Sequence, residues 1–335
     1  MFFAFGFLIL VLFLIVYHFW MIRRNRVAIT QSENYAEKLA EFWSEHNDNA
    51  IVPELFIDAN SNFKKDLLIK EIIAFLSIQT DESGNKIRDL YFKLELDFYS
   101  FQKLSNRRWA RQVMGIHELA ALDAQVEADA IVEFINHPNP VLRHEAISAI
   151  VRLRPSDPFG FLDRLTVTFT KRDQINAWAV LQKHHLPVPS FSRWFDSYNP
   201  SVVAFAVEMV SLNNQIESAE LFDELLRHSH EEVKTCVIKA IGDMHLTTYA
   251  TRLFPIFNDE HEQIQLLILK TMEKLEDLSM LNFLSDIVLF NTSMKIRLQA
   301  AKALVGIGPQ GLTRLQTLLL NQDKEISYIY KQICG

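Results

Sequence analysis

Residues 231–244, EEVKTCVIKAIGDM, place Ile238, Ile241 and Met244 five, eight and eleven positions after Val233. Those three fall at i, i+3 and i+6, the stripe of one helical face and not the alternation of a strand. The same pattern opens at Leu142, Val202, Ile264 and Ile296, and the steps from Val202 onward are 31, 31 and 32 residues. Five residues after each start stand Ile147, Val207, Ile238, Leu269 and Ala301, and eight after stand Ile150, Val210, Ile241, Met272 and Leu304. Eight before stand Phe134, Trp194, Leu225, Ile256 and Val288. A period near thirty implies a stacked array of helix–turn–helix units, because one such unit cannot bury its apolar face alone.

Between Leu142 and Val202 the gap is twice the period, so a degenerate unit is expected to start near Asp173, with Leu165, Trp178 and Leu181 at its matching offsets. Backward extension gives a start at Arg108, followed by Val113 and Ile116; forward extension gives Leu320 ahead of a start at Tyr328. Turn formers precede the starts: Pro138, Asn139 and Pro140; Asn199 and Pro200; Asn258 and Asp259; Asn291 and Thr292. Residues 165–170, LTVTFT, have the composition of a strand, but their place in the repeat predicts helix. The fold class expected is all-α.

The repeats resemble the HEAT family, particularly the short HEAT-like units of bacterial proteins. Three segments carry the resemblance: PVLRHEAISAI (140–150), EEVKTCVIKAIGDM (231–244) and KIRLQAAKALVGIG (295–308). Their small alanines would let second helices pack closely, and Pro255 stands in a first helix where the family often has a kink. The units at 173, 202 and 264 depart from the family pattern in lacking a basic residue directly after the start. The resemblance covers roughly residues 105–335 and implies a right-handed α-solenoid of helical hairpins whose second helices line the concave side.

At the other end, residues 1–22 contain no Asp, Glu, Lys or Arg, about the length of apolar helix that a bilayer core requires. Tyr17, His18, Phe19 and Trp20 close this stretch, and Arg23, Arg24 and Arg26 follow. This pattern predicts a transmembrane anchor with the rest of the chain on the cytoplasmic side of the inner (plasma) membrane. A cleaved signal peptide is the competing reading, but no charged segment precedes the apolar run and no clear small-x-small site follows it. The domain plan expected is an anchor at 1–22, a basic juxtamembrane linker at 23–30, a helical capping region at 31–104 and the array at 105–335. Within the cap, amphipathic helices are predicted at 31–46 (Tyr35, Leu39, Phe42, Trp43), at 62–79 (Phe63, Leu67, Ile72, Leu76) and from Ile87 through Leu90, Tyr91, Leu94 and Phe98 to Phe101, with loops at Asn47–Ala50 and Thr80–Asn85. These helices are placed to cover the exposed end of the array, and short connections predict one continuous body.

The formal charge is −7, and −10 without the three juxtamembrane arginines, which disfavours nonspecific nucleic-acid binding. Two cysteines, Cys236 and Cys334, form neither a disulfide framework nor a metal spacing. His184 with His185, and His228 with His230, are too close in sequence to share a helical face, and no third ligand stands at a metal-site spacing. His117 with Glu118 and His144 with Glu145 have no nucleophile beside them. No glycine-rich phosphate loop is present, and no cofactor is expected.

Two groups remain as binding candidates. Lys239, Lys270 and Lys302 each follow their repeat start by six residues and should stack along successive second helices, with Lys274 one turn from Lys270. They would form a basic seam in an acidic region, since residues 217–286 hold fourteen Asp and Glu against six Lys and Arg. Such a seam could hold an acidic peptide or a helix C-terminus; the plainer reading is a solvated polar face. Glu208 takes the same offset one repeat earlier and should end it. The second group is Arg107, Arg108, Trp109 and Arg111, which either meet anionic headgroups or a partner's cytoplasmic loop, or consist of a core tryptophan among solvated arginines.

Together these features predict a membrane-anchored interaction scaffold and not an enzyme. The partner expected is another membrane protein, for which a glycosyltransferase or a secretion component would suit repeat proteins of this kind. The alternatives are a lyase or glycosylase, activities that HEAT-like folds also support, and a lipid-binding regulator.

Overall fold

The computed structural model describes residues 2–44, 56, 58–78, 83–319 and 324–334, the side chains of 2–9, 83 and 334 excepted. Among the described residues there are helices and turns and no strand. In chain order the helices are α1 (Phe2–Ser44), α2 (Asn62–Ile78), α3 (Ser83–Lys93), α4 (Leu96–Leu104), α5 (Trp109–Ala121), α6 (Ala128–Val132), α7 (Pro140–Leu153), α8 (Lys171–Lys183) and α9 (Pro200–Leu212). There follow α10 (Phe222–Leu225), α11 (Glu231–Asp243), α12 (Leu253–Asp259), α13 (Glu262–Leu275), α14 (Leu281–Phe290), α15 (Met294–Gly306), α16 (Pro309–Leu319) and α17 (Lys324–Cys334). The chain divides into two compact units, residues 1–158 with 176–187, and residues 159–175 with 188–335.

In the first unit α1 packs on α2 and α3, α4 on α5, and α5 on α7. Tyr35, Leu39 and Phe42 of α1 meet Leu68, Ile69 and Ile72 of α2 and Ile87, Leu90 and Tyr91 of α3 in one buried cluster. Residues 23–30, expected as a linker, are helix. No glycine or proline occurs between Phe7 and Val52, so nothing in the backbone interrupts α1 there. The expected helix from Ile87 to Phe101 is broken at Glu95, whose φ is 52°. The break rotates the face that follows, so Leu96, Tyr99 and Leu104 are buried while Phe98 and Phe101 are exposed. The expected loop at Asn47–Ala50, residues 80–82 of the second loop and Leu320 lie outside the described residues. Ser83–Asn85, expected as loop, open α3.

Of the apolar span expected at 1–22, the backbone from Phe2 is helical, and the side chains from Leu10 onward are described. Among the described residues no helix is long and apolar enough to cross a membrane. The side chains of residues 1–9, which begin the span, lie outside them.

In the second unit α9, α11, α13 and α15 pack side by side in chain order. Leu142, Val202, Val233, Ile264 and Ile296 each occupy the third position of a helix and are buried, as are all ten residues five and eight places after them. Full burial of each of these side chains except that of Ala301 contributes about 1.5–3 kcal/mol, which is why the repeat is written most plainly in these helices. Eight places before the starts, Trp194, Leu225 and Val288 are buried, but Phe134 and Ile256 are half-buried beside the buried Ile135 and Phe257.

The first helices are irregular, shrinking to the short turns Gly160–Arg164 and Phe191–Trp194 in the middle of the chain. There Phe159, Phe161, Phe169, Phe191, Trp194 and Phe205 form one buried aromatic cluster, with Phe169 and Phe205 edge to face at 4.9 Å. Large rings fill the layer with few residues. Residues 165–170 are not helical, contrary to the helix expected. The side chain of Asn199 donates to the carbonyls of Leu165 (3.0 Å) and Val167 (2.8 Å), and Ser201 Oγ accepts from the Phe169 amide at 2.8 Å. Side chains from the next unit thus satisfy the backbone that a helix would have satisfied internally. Asp173 stands where the repeat has a branched apolar residue because it takes part in the cap of α8: Thr170 Oγ1 accepts from the Asp173 amide (3.3 Å) and donates to its carboxylate (2.7 Å).

Two features fix the register independently. Twelve residues after the starts at 173, 202, 233, 264 and 296 come His185, Asn214, His245, Glu276 and Gly308, all with φ between 50° and 95°. This is the left-handed residue that ends a helix, and Leu186, Gln215 and Leu246 donate back to Leu181, Val210 and Ile241 at 3.0 Å in the accompanying Schellman pattern. Asp123 has φ 55° and Ala124 donates to Leu119 at 3.0 Å, which places the first start at Arg111 and not at Arg108. The shift is three residues, a step that stays on one helical face. At the other end the start falls on the buried Ile326, while Tyr328 is exposed.

The residue one place after the start reaches back to the chain entering the helix. Gln112 donates to the Leu104 carbonyl (3.1 Å), Arg143 to His137 (3.1 Å), Gln174 to Phe169 (2.8 Å), Gln265 to Phe257 (2.9 Å) and Arg297 to Val288 (2.7 Å). Donation, not charge, is the requirement here, and glutamine meets it in the units at 173 and 264.

Candidate functional site

Lys239, Lys270 and Lys302 occupy equivalent positions on α11, α13 and α15, and all three side chains are exposed. Among the described residues no carboxylate lies within ion-pair distance of any of them. Lys274 differs: its ammonium lies 2.5 Å from Asp243, the residue at the same repeat position one helix earlier. At the end of the row, both carboxylate oxygens of Glu208 lie 2.6 Å from the Lys171 ammonium, and Glu208 accepts from Cys236 Sγ at 3.5 Å. Burial first, and then the Glu208 charge, push the Cys236 thiol up to about 12, so it stays protonated and is no nucleophile.

Beside Lys239 the surface between α9 and α11 forms a groove of about 540 Å³ lined by Met209, Leu212, Ala240 and Lys239 and also by Ser211, Cys236, Glu208 and Asp243, the two carboxylates being met by Lys171 and Lys274. Leu212 is 62% exposed. The row of lysines therefore starts at a hollow that exposes the apolar side chains of Met209 and Leu212. The sequence pattern identified the lysines; the hollow was not legible because it is made by residues from two helices.

The Arg107–Arg111 group separates. Arg107, Arg108 and Trp109 lie on the surface at the start of α5, with Trp109 51% exposed and so not a core residue. Arg111 turns instead to Asp66 of α2, with Nη1 2.6 Å from Oδ2. It joins a network that sequence reading did not reveal. The Lys103 ammonium lies 2.6 Å from both oxygens of Glu118 and 2.8 Å from Asp66; Ser100 donates to Glu118 at 2.6 Å and Tyr99 to Asp66 at 3.0 Å. Burial alone raises the Asp66 carboxyl, but hydrogen bonds from Lys103 and Arg111 hold it below the ordinary carboxylate value. Gly115 allows the close crossing of α4 and α5 that brings these groups together, since a Cβ there would lie 2.7 Å from the Ser100 carbonyl oxygen. The residues come from three helices, and no sequence spacing links them.

Arg23, Arg24 and Arg26 are exposed on α1. The Arg24 guanidinium lies over two rings, 5.2 Å from Trp20 and 5.5 Å from Phe63. Of the histidines, His117 pairs with Glu145 (3.3 Å), not with its neighbour Glu118. His228 lies beside His230, its ring 5.5 Å away, and burial together with that neighbour lowers its pKa. Among the described residues no cluster of His, Cys, Asp and Glu could hold a metal ion.

No family model and no curated protein matches the chain. Solved structures that resemble it include an engineered protein, 14% identical over 91% of this chain and 94% of that one, with a TM-score of 0.38. Kap121p bound to Pho4p is 11% identical over 84% of this chain and 36% of that one, with a TM-score of 0.41. The CpcE–CpcF phycocyanin lyase complex from Nostoc sp. PCC7120 is 13% identical over 82% and 95%, with a TM-score of 0.27. At this identity and superposition they bear on neither the activity nor the partners of this chain.

Proposed function

We propose that the chain is a membrane-anchored scaffold that holds an acidic amphipathic segment of a partner membrane protein along α11, α13 and α15. The observation that carries this reading is the row of Lys239, Lys270 and Lys302, in register, exposed and unpaired among the described residues, ending at the hollow of Met209, Leu212 and Ala240. A helix laid across these helices would place an apolar side chain in the hollow and its carboxylates on the lysines. The acidic surroundings support selectivity, because a partner that misses the seam meets like charge.

The anchor rests on α1. Leu12, Phe13, Leu14 and Ile15 are each more than half exposed, and at successive positions they point to four different sides of the helix. A helix apolar on every side is suited to lipid, and the arginines that follow are suited to the cytoplasmic boundary. We place the repeats on that side of the inner membrane.

The test is a crosslinked, detergent-solubilised pull-down of the full chain from its native membrane beside the variant Lys239→Glu, Lys270→Glu, Lys302→Glu. A defined membrane partner lost from the variant supports the reading. A partner retained by the variant contradicts the seam, and recovery of none contradicts the scaffold.

A further inference from the structure

Within the first unit, residues of α1, α2 and α5 line a second, open cavity of about 390 Å³, apolar at Phe63, Leu67, Ile73 and Met114 and basic at Arg24 and Lys70, with His117 beside them. Asp66 and Glu118 also reach it, but their charges are met by Lys103 and Arg111. Among the described residues neither Arg24 nor Lys70 has a carboxylate within ion-pair distance. The charge left uncompensated at the cavity is therefore positive, beside apolar side chains. Arg24 stands one turn beyond Trp20, at the end of the exposed apolar stretch of α1, and its guanidinium is held between Trp20 and Phe63.

We propose that this cavity takes one anionic phospholipid from the adjoining leaflet, with its phosphate on Arg24 and Lys70 and the first methylenes of an acyl chain on Leu67, Ile73 and Met114. The proposal rests on the membrane-anchor reading, because only that reading brings lipid to the level of Arg24. Apolar side chains and two cations lining one cavity match an amphipathic anion better than a free phosphate, which would leave the apolar part wet. The bound lipid would tie α1 to α2 and α5, and so fix the cap against the membrane surface.

The experiment uses the full chain. Flotation with neutral phosphatidylcholine vesicles tests the anchor alone; a chain that stays at the bottom overturns both readings. Chain that floats is then reconstituted into nanodiscs containing equal phosphatidylcholine and phosphatidylglycerol, released into detergent, and weighed by native mass spectrometry. One retained phosphatidylglycerol per chain is expected, with retention reduced about tenfold in Arg24→Gln, Lys70→Gln. Met114→Trp, which fills the apolar part without removing a cation, should also lower retention. Equal retention of the two lipids, or retention unchanged in both variants, overturns the site while leaving the anchor in place. Competition by soluble glycerol phosphate at equal concentration would also overturn it, because the apolar part would then contribute nothing.

Discussion

The ammonium of Lys274 lies 2.5 Å from the carboxylate of Asp243, and the two residues are 31 apart, one repeat. Equal positions on α11 and α13 thus meet side by side, and the pairing removes Lys274 from the seam. Exchange of the pair, Lys274→Asp with Asp243→Lys, should change partner affinity less than about twofold, whereas reversal of Lys270 to glutamate should weaken it about fivefold. Titration of purified partner against each variant checks this, and equal losses would show that the in-register pairing does not govern recognition.

Lys103 neutralises the buried Glu118 and the half-buried Asp66 at once. Replacing it with methionine leaves the buried Glu118 without its counter-charge, and a loss of about 3–5 kcal/mol is expected. Lys103→Met combined with Glu118→Met should lose less than the two single losses added together. Unfolding of all three variants measures the difference.

Glu276 holds a left-handed conformation at φ 53° to end α13. Glycine adopts it without strain, so Glu276→Gly should raise stability by about 1 kcal/mol. A drop in midpoint temperature would contradict the cap assignment.

The hydrogen bond to Glu145 raises the His117 pKa above its ordinary 6.5, although partial burial opposes it. A folded-state pKa above the unfolded one means that the pair stabilises fully below the unfolded value and is lost as pH rises through the folded one. Nuclear magnetic resonance titration of the His117 ring should show the raised value, and Glu145→Gln should bring it down. An unchanged titration would mean that the pair does not form in solution.

The second helices were legible in the sequence because their pattern is a burial pattern, and Val233, Ile238 and Ile241 are all fully buried. The degenerate start at Asp173 was found from the period alone, but its capping role was not, since Thr170 and Asp173 make sense only once a helix begins between them. The start at Arg108 was wrong by three residues because Val113 and Ile116 fit one helical stripe as well as Ile116 and Leu119 do; Asp123 decides between them through its backbone conformation. Basic residues after the starts suggested charge, yet Gln112, Gln174 and Gln265 perform the same hydrogen-bonding task. Asp66, Lys103 and Glu118 were invisible because contact between distant segments leaves no local pattern.

Binding along the lysine row is tested most directly by photo-crosslinking in the native membrane. A photoreactive residue is placed at 270 on α13 or at the exposed position 290 at the end of α14. Crosslinking of one membrane partner from 270 and none from 290 is the expected result. The same partner captured from 290 and not from 270 would place recognition on the first helices and contradict the lysine seam.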